Sequence, residues 1–252
     1  MIKRYKKFLT ELLMVVFLAS SSGCASYRVH PDFKERQKSI YSVAVLPPEI
    51  DVYKLSFRGD KDPMYDVIAL ATNQSKDEIE KIFKEKGYVV QRLDLSENRL
   101  QQDSELRSAL YNIRELYKKT LDDICKRRQK KFTYSVGADI NQFADLANAD
   151  VIVMLQSEGY KKTGGEIAKD IAKSILVLAA TCGGFCMCSY YSAAIMNLSI
   201  IDGNTGDVLW YNNNKAQQGI DMAKEKHVRN TIKSLLKAFP DSAFKVDKKG
   251  KR

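Results

Sequence analysis

Asp150-Val-Ile-Val-Met-Leu155 decides the fold: five consecutive apolar residues, bounded by an acid and by Gln156, are too few for a core helix and too apolar for a half-exposed strand. A run of this kind suits a central strand buried on both faces, which requires helices above and below a sheet. Working outward, Ser42-Val-Ala-Val-Leu46 reads as a second buried strand, stopped by Pro47-Pro48 because proline cannot donate to a ladder. Asp62-Pro63 reads as a helix start, an N-cap acid before a first-turn proline, with Met64, Val67, Ile68 and Ala71 following at helical spacing. Ser75-x-x-Glu78 fits a second capping box, so a break is expected there before Ile79, Ile82 and Phe83 resume the stripe and Gly87 ends it. Tyr88 to Leu93 is the next strand, which completes a β-α-β unit and predicts a parallel pair with a right-handed crossover.

Four more helices are legible. Between Asp103 and Lys130, Leu106, Leu110, Ile113, Tyr117, Leu121 and Ile124 lie four, three, four, four and three apart, the spacing of one buried face. Asp139 to Asn148 reads as a short helix with Ile140, Phe143 and Ala147 inward, and Asp221 opens a last helix carrying Val228, Ile232, Leu235 and Phe239. The run Lys126-Arg-Arg-Gln-Lys-Lys131 suits a helix C-terminus through the macrodipole; contact with anionic lipid or glycan is the alternative. Thr163-x-x-Glu166 reads as a capping box before Ile167, Ile171 and Ile175, since Gly164-Gly165 lacks the spacing of a phosphate loop.

Residues 174–201 contain no charged residue or histidine in a chain that is 29% charged. A membrane span is opposed by Gly183-Gly184, by the polar stretch Ser189 to Asn197 and by the strand-like alternation of residues 194–200. The expected order is an amphipathic helix to about Thr181, a glycine and cysteine loop, then a strand from about Tyr190. The loop Cys182, Gly183, Gly184, Phe185, Cys186, Met187 and Cys188 is a candidate interface or membrane contact if it lies on the surface, and ordinary core if it does not. Cys182-x3-Cys186-x-Cys188 is a poor metal site, because only His30 and His227 exist as further ligands; no metal is expected. An oxidising compartment permits disulfides among these cysteines and Cys125, and burial as small apolar groups is the plainer reading.

Asn197 to Tyr211 spells a β-hairpin. Asp202 can accept from the turn backbone, Gly203 and Gly206 permit positive φ, and the single tryptophan, Trp210, is expected to pack on the helix layer. Lys245 to Arg252 reads as part of a basic disordered tail covering residues 241–252.

The N-terminus supplies the address. Lys3, Arg4, Lys6 and Lys7 form a cationic region, Phe8 to Leu18 an apolar one, and Ala19-Ser-Ser-Ser-Gly23 leads with small residues into Cys24. This order resembles the lipobox of bacterial lipoproteins, with Ser21 where leucine is usual. The resemblance implies a diacylglyceryl group on the Cys24 thiol, cleavage after Gly23 and acylation of the new amine by a palmitate-type chain; Ala25 in place of aspartate implies the outer membrane. The organisation expected is a signal peptide over residues 1–23, a lipidated tether over 24–38 and one α/β domain over 39–240, with a long helical element at 94–135 inserted in it. Residues 1–23 hold four of the 41 basic and one of the 31 acidic residues, so the remainder keeps a charge of +7. Export removes nucleic acid as a partner despite that charge.

The segments "SVAVLPPE", "ANADVIVMLQSEGYKKTGG" and "IDGNTGDVLWYNN" resemble bacterial lipoproteins whose domain is similar to the TolB N-terminal fold, shared with the curli-secretion lipoprotein and with lipoprotein activators of peptidoglycan synthases. The resemblance implies a mixed, mostly parallel sheet of about five strands flanked by helices, closed by a C-terminal β-hairpin plus helix. It further implies a periplasm-facing protein acting through contacts with itself or with an envelope assembly, secretion or transport machine, or activating a peptidoglycan synthase. Residues 94–135 are long for that pattern. A hydrolase is disfavoured by the absence of G-x-S-x-G, H-E-x-x-H and G-x-G-x-x-G and by the scarcity of histidine; an Asp/Ser/His227 constellation and a pore built on the uncharged stretch complete the alternatives. Beyond the lipid on Cys24, no cofactor is expected.

Overall fold

The computed structural model describes residues 27–55, 60–162, 192–214 and 219–244. They form a mixed α/β fold: an eight-stranded sheet between two layers of helices. Its strands are β1 (Arg28–Val29), β2 (Ser42–Val45), β3 (Glu49–Leu55), β4 (Lys61–Pro63), β5 (Val89–Gln91), β6 (Val151–Lys162), β7 (Ser192–Asp202) and β8 (Val208–Asn213). Helices α1 (Phe33–Arg36), α2 (Tyr65–Glu85), α3 (Glu97–Gln102), α4 (Ser104–Cys125), α5 (Ile140–Ala147) and α6 (Glu225–Leu236) complete it.

The run at 151–155 is the central strand, and its side chains separate by parity. Val151, Val153 and Leu155 enter one core with α2 and α6, while Ile152 and Met154 enter the other with α4 and α5. Strand β6 pairs in parallel with β2 and β3 along one edge and antiparallel with β7 along the other. The long edge partner is really two strands end to end. Val45 faces Val153 and Glu49 faces Gln156, so Leu46-Pro47-Pro48 oppose two residues of β6, a bulge that hides the missing donors of both prolines. Strand β5 pairs in parallel with the outer side of β2, as the β-α-β reading requires. The sheet order is β1-β8-β7-β6-β2-β5, with β3 joined to β6 and β4.

Four local expectations are corrected. Asp62-Pro63 does not start a helix: both lie in β4, where Pro63 faces Tyr53 at a sheet edge that tolerates a missing donor, and α2 begins at Tyr65. No break occurs at Ser75. Helix α2 is continuous: Ser75 and Glu78 are both buried within it, and Glu78 meets Arg229 Nε at 3.2 Å and Lys233 Nζ at 3.6 Å on α6 instead of capping a new turn. Helix α4 stops at Cys125, with Arg127 at φ +49°, so the basic run 126–131 follows the helix end and does not belong to its last turn. The last helix starts at Glu225, four residues after Asp221, whose carboxylate instead caps a turn by accepting from the Ala223 amide at 3.1 Å.

The stretch read as a tether is also built into the fold from residue 28 onward. Strand β1 pairs antiparallel with β8, α1 follows, and a 3-10 turn spans Gln37–Ser39. Several polar residues of this stretch are held by partners distant in the chain. Arg28 Nη1 donates to the Ile124 carbonyl at 3.1 Å, and Arg36 reaches the β7–β8 turn. The buried faces expected of α4, α5 and α6 are all present. Gly87, at φ +87°, ends α2 as a left-handed cap.

Candidate functional site

Among the residues singled out by sequence, Cys24 and the loop Cys182, Gly183, Gly184, Phe185, Cys186, Met187 and Cys188 lie outside the described residues, as do the Thr163-x-x-Glu166 box and the end of the tail. Cys125 is disulfide-bonded, and every other cysteine of the chain lies outside the described residues.

The hairpin residues are described, and they build a structural clasp. Asp202 Oδ1 accepts from the amides of Asn204 and Thr205, both at 2.9 Å, while Oδ2 pairs with Arg36 Nη2 at 2.7 Å. Arg36 Nη1 also meets Asp207 Oδ2 at 2.8 Å. Partial burial works against ionisation of Asp202, but the Arg36 guanidinium and the two turn amides outweigh it and hold the carboxyl below its usual range. Gly206 adopts φ +74° as expected. Gly203 does not have positive φ; glycine is needed there because a Cβ would fall 2.6 Å from Ala144 Cβ and 2.9 Å from the Asp150 carbonyl. Trp210 is fully buried, packing edge-on against Phe239 beyond α6 and stacking on Tyr27.

A second feature was not read from the sequence. Helix α4 crosses the sheet with the Tyr117 hydroxyl against the Met154 carbonyl (3.3 Å) and Ser199 Oγ (3.0 Å), and with Lys118 Nζ 2.7 Å from Glu49. Beyond that crossing, β3 and β6 carry a polar strip on the same face: Glu49, Asp51 and Tyr53 beside Gln156, Glu158 and Tyr160. Register sets Asp51 directly against Glu158 and Tyr53 directly against Tyr160. Lys61 of β4 closes the group, 3.3 Å from Glu158 and 3.1 Å from the Tyr160 hydroxyl, with its ammonium 5.2 and 5.0 Å from the two ring centroids. The Tyr160 hydroxyl also donates to Glu158. Glu49-Ile-Asp-Val52 alternates polar and apolar residues, the signal that could have revealed β3.

The electrostatics of this strip keep its titratable groups toward their protonated forms. Desolvation, then the neighbouring Glu49 and Glu158 carboxylates, push the Asp51 carboxyl up. Burial raises the Tyr53 hydroxyl, and burial together with Glu158 raises that of Tyr160, so both phenols stay protonated at neutral pH. Neither is poised as a base. The two histidines are engaged elsewhere through Nδ1, His30 with the Asp32 amide at 3.2 Å and His227 with the Asp221 amide at 3.0 Å. The notion of an Asp/Ser/His227 constellation meets a structural bond at that nitrogen, where Asp221 offers its amide and not its carboxylate. Among the described residues, no cluster of His, Cys, Asp or Glu is arranged to hold a metal, and no helix is long and apolar enough to cross a membrane.

No protein-family model and no curated protein matches the chain. Solved structures give distant likenesses. PelC from Paraburkholderia phytofirmans, crystallised as a dodecamer, is 12% identical with a TM-score of 0.34 over 77% of this chain and 85% of that one. The lipoprotein GNA1162 from Neisseria meningitidis is 11% identical with a TM-score of 0.34 over 69% of this chain and 79% of its own. At that level neither activity nor partner is transferred.

Proposed function

We propose that this chain is a lipid-anchored protein of the outer membrane, facing the periplasm and working without catalysis as an oligomeric or accessory component of an envelope assembly, secretion or transport machine. The observation that carries the reading is the order of cationic, apolar and small residues ending at Cys24. Its consequence is steric. Two residues, Ala25 and Ser26, separate Cys24 from Tyr27, the first described residue, so the three Cα-to-Cα steps reach at most about 11 Å. With β1 fixed to β8 immediately afterwards, acyl chains on Cys24 hold the folded sheet close to the bilayer instead of letting it swing on a long tether. The acidic, tyrosine-bearing strip on β3 and β6, with its carboxylates answered by lysines and its phenols protonated, supports recognition over turnover.

The test of function is in-cell crosslinking followed by affinity purification of the detergent-extracted protein. Recovery of further copies of the chain, or of a defined envelope complex, supports the proposal. A monomer without crosslinks that hydrolyses an envelope substrate contradicts it.

A further inference from the structure

We infer that the loop Lys126–Lys131 is a docking surface for anionic phospholipid headgroups, set beside the anchor so that the domain meets the bilayer in one orientation; this rests on the lipid-anchor reading of Cys24. Lys126, Arg127, Arg128, Lys130 and Lys131 are all exposed, five cations within six residues. Lys126 pairs with Asp122 at 2.6 Å, and Arg128 pairs with Asp123 at 2.9 Å and lies 3.7 Å from Asp122. Arg127, Lys130 and Lys131 have no carboxylate within ion-pair distance among the described residues.

The loop is held, not loose. The Tyr134 hydroxyl donates to the Asp123 carbonyl at 3.1 Å and accepts from the Gln129 amide at 3.2 Å, and Thr133 Oγ1 bonds Gln129 Oε1 at 3.0 Å. Its base is tied to the chain's entry point. Arg28 bonds the Ile124 carbonyl on one side of the loop, and its guanidinium carbon lies 4.8 Å from the Phe132 ring centroid on the other. Arg28 is one residue from Tyr27, so the attachment point of the lipid and the cationic loop are neighbours by covalent reach. A helix terminus needs one or two cations to answer its dipole; five in a pinned loop at the membrane-proximal end fit a negatively charged bilayer surface. The occupant is phospholipid because the anchor brings a lipid surface to this place, whereas a soluble anion would have to arrive independently.

The test uses the native acylated protein, reconstituted into vesicles of phosphatidylcholine alone or mixed with phosphatidylglycerol. Acetylation of Lys130 and Lys131 by acetic anhydride is compared with that of Lys81, which lies on α2 across the sheet. Three unpaired cations favour the docked state by roughly a hundredfold on an anionic surface, so reactivity of Lys130 and Lys131 falls severalfold with phosphatidylglycerol while Lys81 is unchanged. High salt restores it. In the R127Q/K130Q/K131Q variant, the exchange of the Tyr27–His30 amides also loses its dependence on phosphatidylglycerol. Equal reactivity on both vesicles, with Cys24 acylated in the mass spectrum of the same sample, overturns this inference alone. Protection by inorganic phosphate or soluble peptidoglycan fragments on phosphatidylcholine vesicles overturns lipid as the occupant. An unacylated Cys24 overturns the reading beneath it.

Discussion

Replacing Arg28 with alanine is the most exposed test of how the anchor is joined to the fold. The guanidinium donates a charge-assisted bond to Ile124, of a kind that contributes about 1.5–3 kcal/mol. It also lies over Phe132 at 4.8 Å and Tyr134 at 5.9 Å, for about 0.5–1 kcal/mol at a partly exposed site. The Ile124 carbonyl keeps the Arg127 amide at 3.1 Å after the change, so no acceptor is orphaned and the lower end applies, about 2 kcal/mol in all. Two residues of β-pairing cannot hold β1 in place against that loss. The His30 amide, bonded to the Leu209 carbonyl at 2.9 Å, should exchange about thirtyfold faster in R28A, while the urea midpoint falls by a corresponding amount only if β1 belongs to the global unit. R28K should fall between, since lysine keeps charge but neither the fork nor the flat stacking plane. Unchanged His30 exchange in R28A would show that the strand is held by backbone pairing and Tyr27 stacking alone, and the link between anchor and loop would fail.

Three further outcomes follow from the geometry. Asp202 has a depressed carboxyl in the folded state, so its contribution is present at neutral pH and lost as pH falls below the ordinary carboxylate value of about 3.9 through the folded one; R36A should flatten that acid limb in pH-dependent urea melts. Asp51 has the opposite sign. Its raised folded value means that ionisation disfavours the fold as pH rises from the ordinary carboxylate range, and D51N should gain about 0.2–1 kcal/mol at pH 7 by removing a like charge facing Glu158, with no gain at acid pH. Gly203→Ala should lose about 1–3 kcal/mol by thermal melting through overpacking against Ala144 and Asp150, whereas a melt unchanged from the parent protein would mean the turn yields freely.

The sheet and its two helix layers were legible because burial on both faces leaves an unbroken apolar run at 151–155, and burial on one face leaves the regular stripe of α4. What sequence missed had local signals overridden by tertiary partners. Ser75-x-x-Glu78 has capping chemistry, but Glu78 is claimed by Arg229 and Lys233, and the helix runs through. Asp62-Pro63 has helix-start chemistry, but an edge strand accepts proline as readily. The clasp at Asp202 was half visible: its turn acceptor role is written locally, whereas Arg36 lies far away in the chain, and no spacing rule links them. The Tyr53, Tyr160 and Lys61 group was invisible for the same reason, since it needs the register of β3 on β6.

The central claim stands or falls with the N-terminal peptide. Mass spectrometry of protein purified from membranes should show Cys24 as the first residue, carrying a diacylglyceryl thioether and an acylated amine. A peptide in which Cys24 retains a free thiol behind residues 1–23, or is disulfide-bonded to Cys125, would contradict the account.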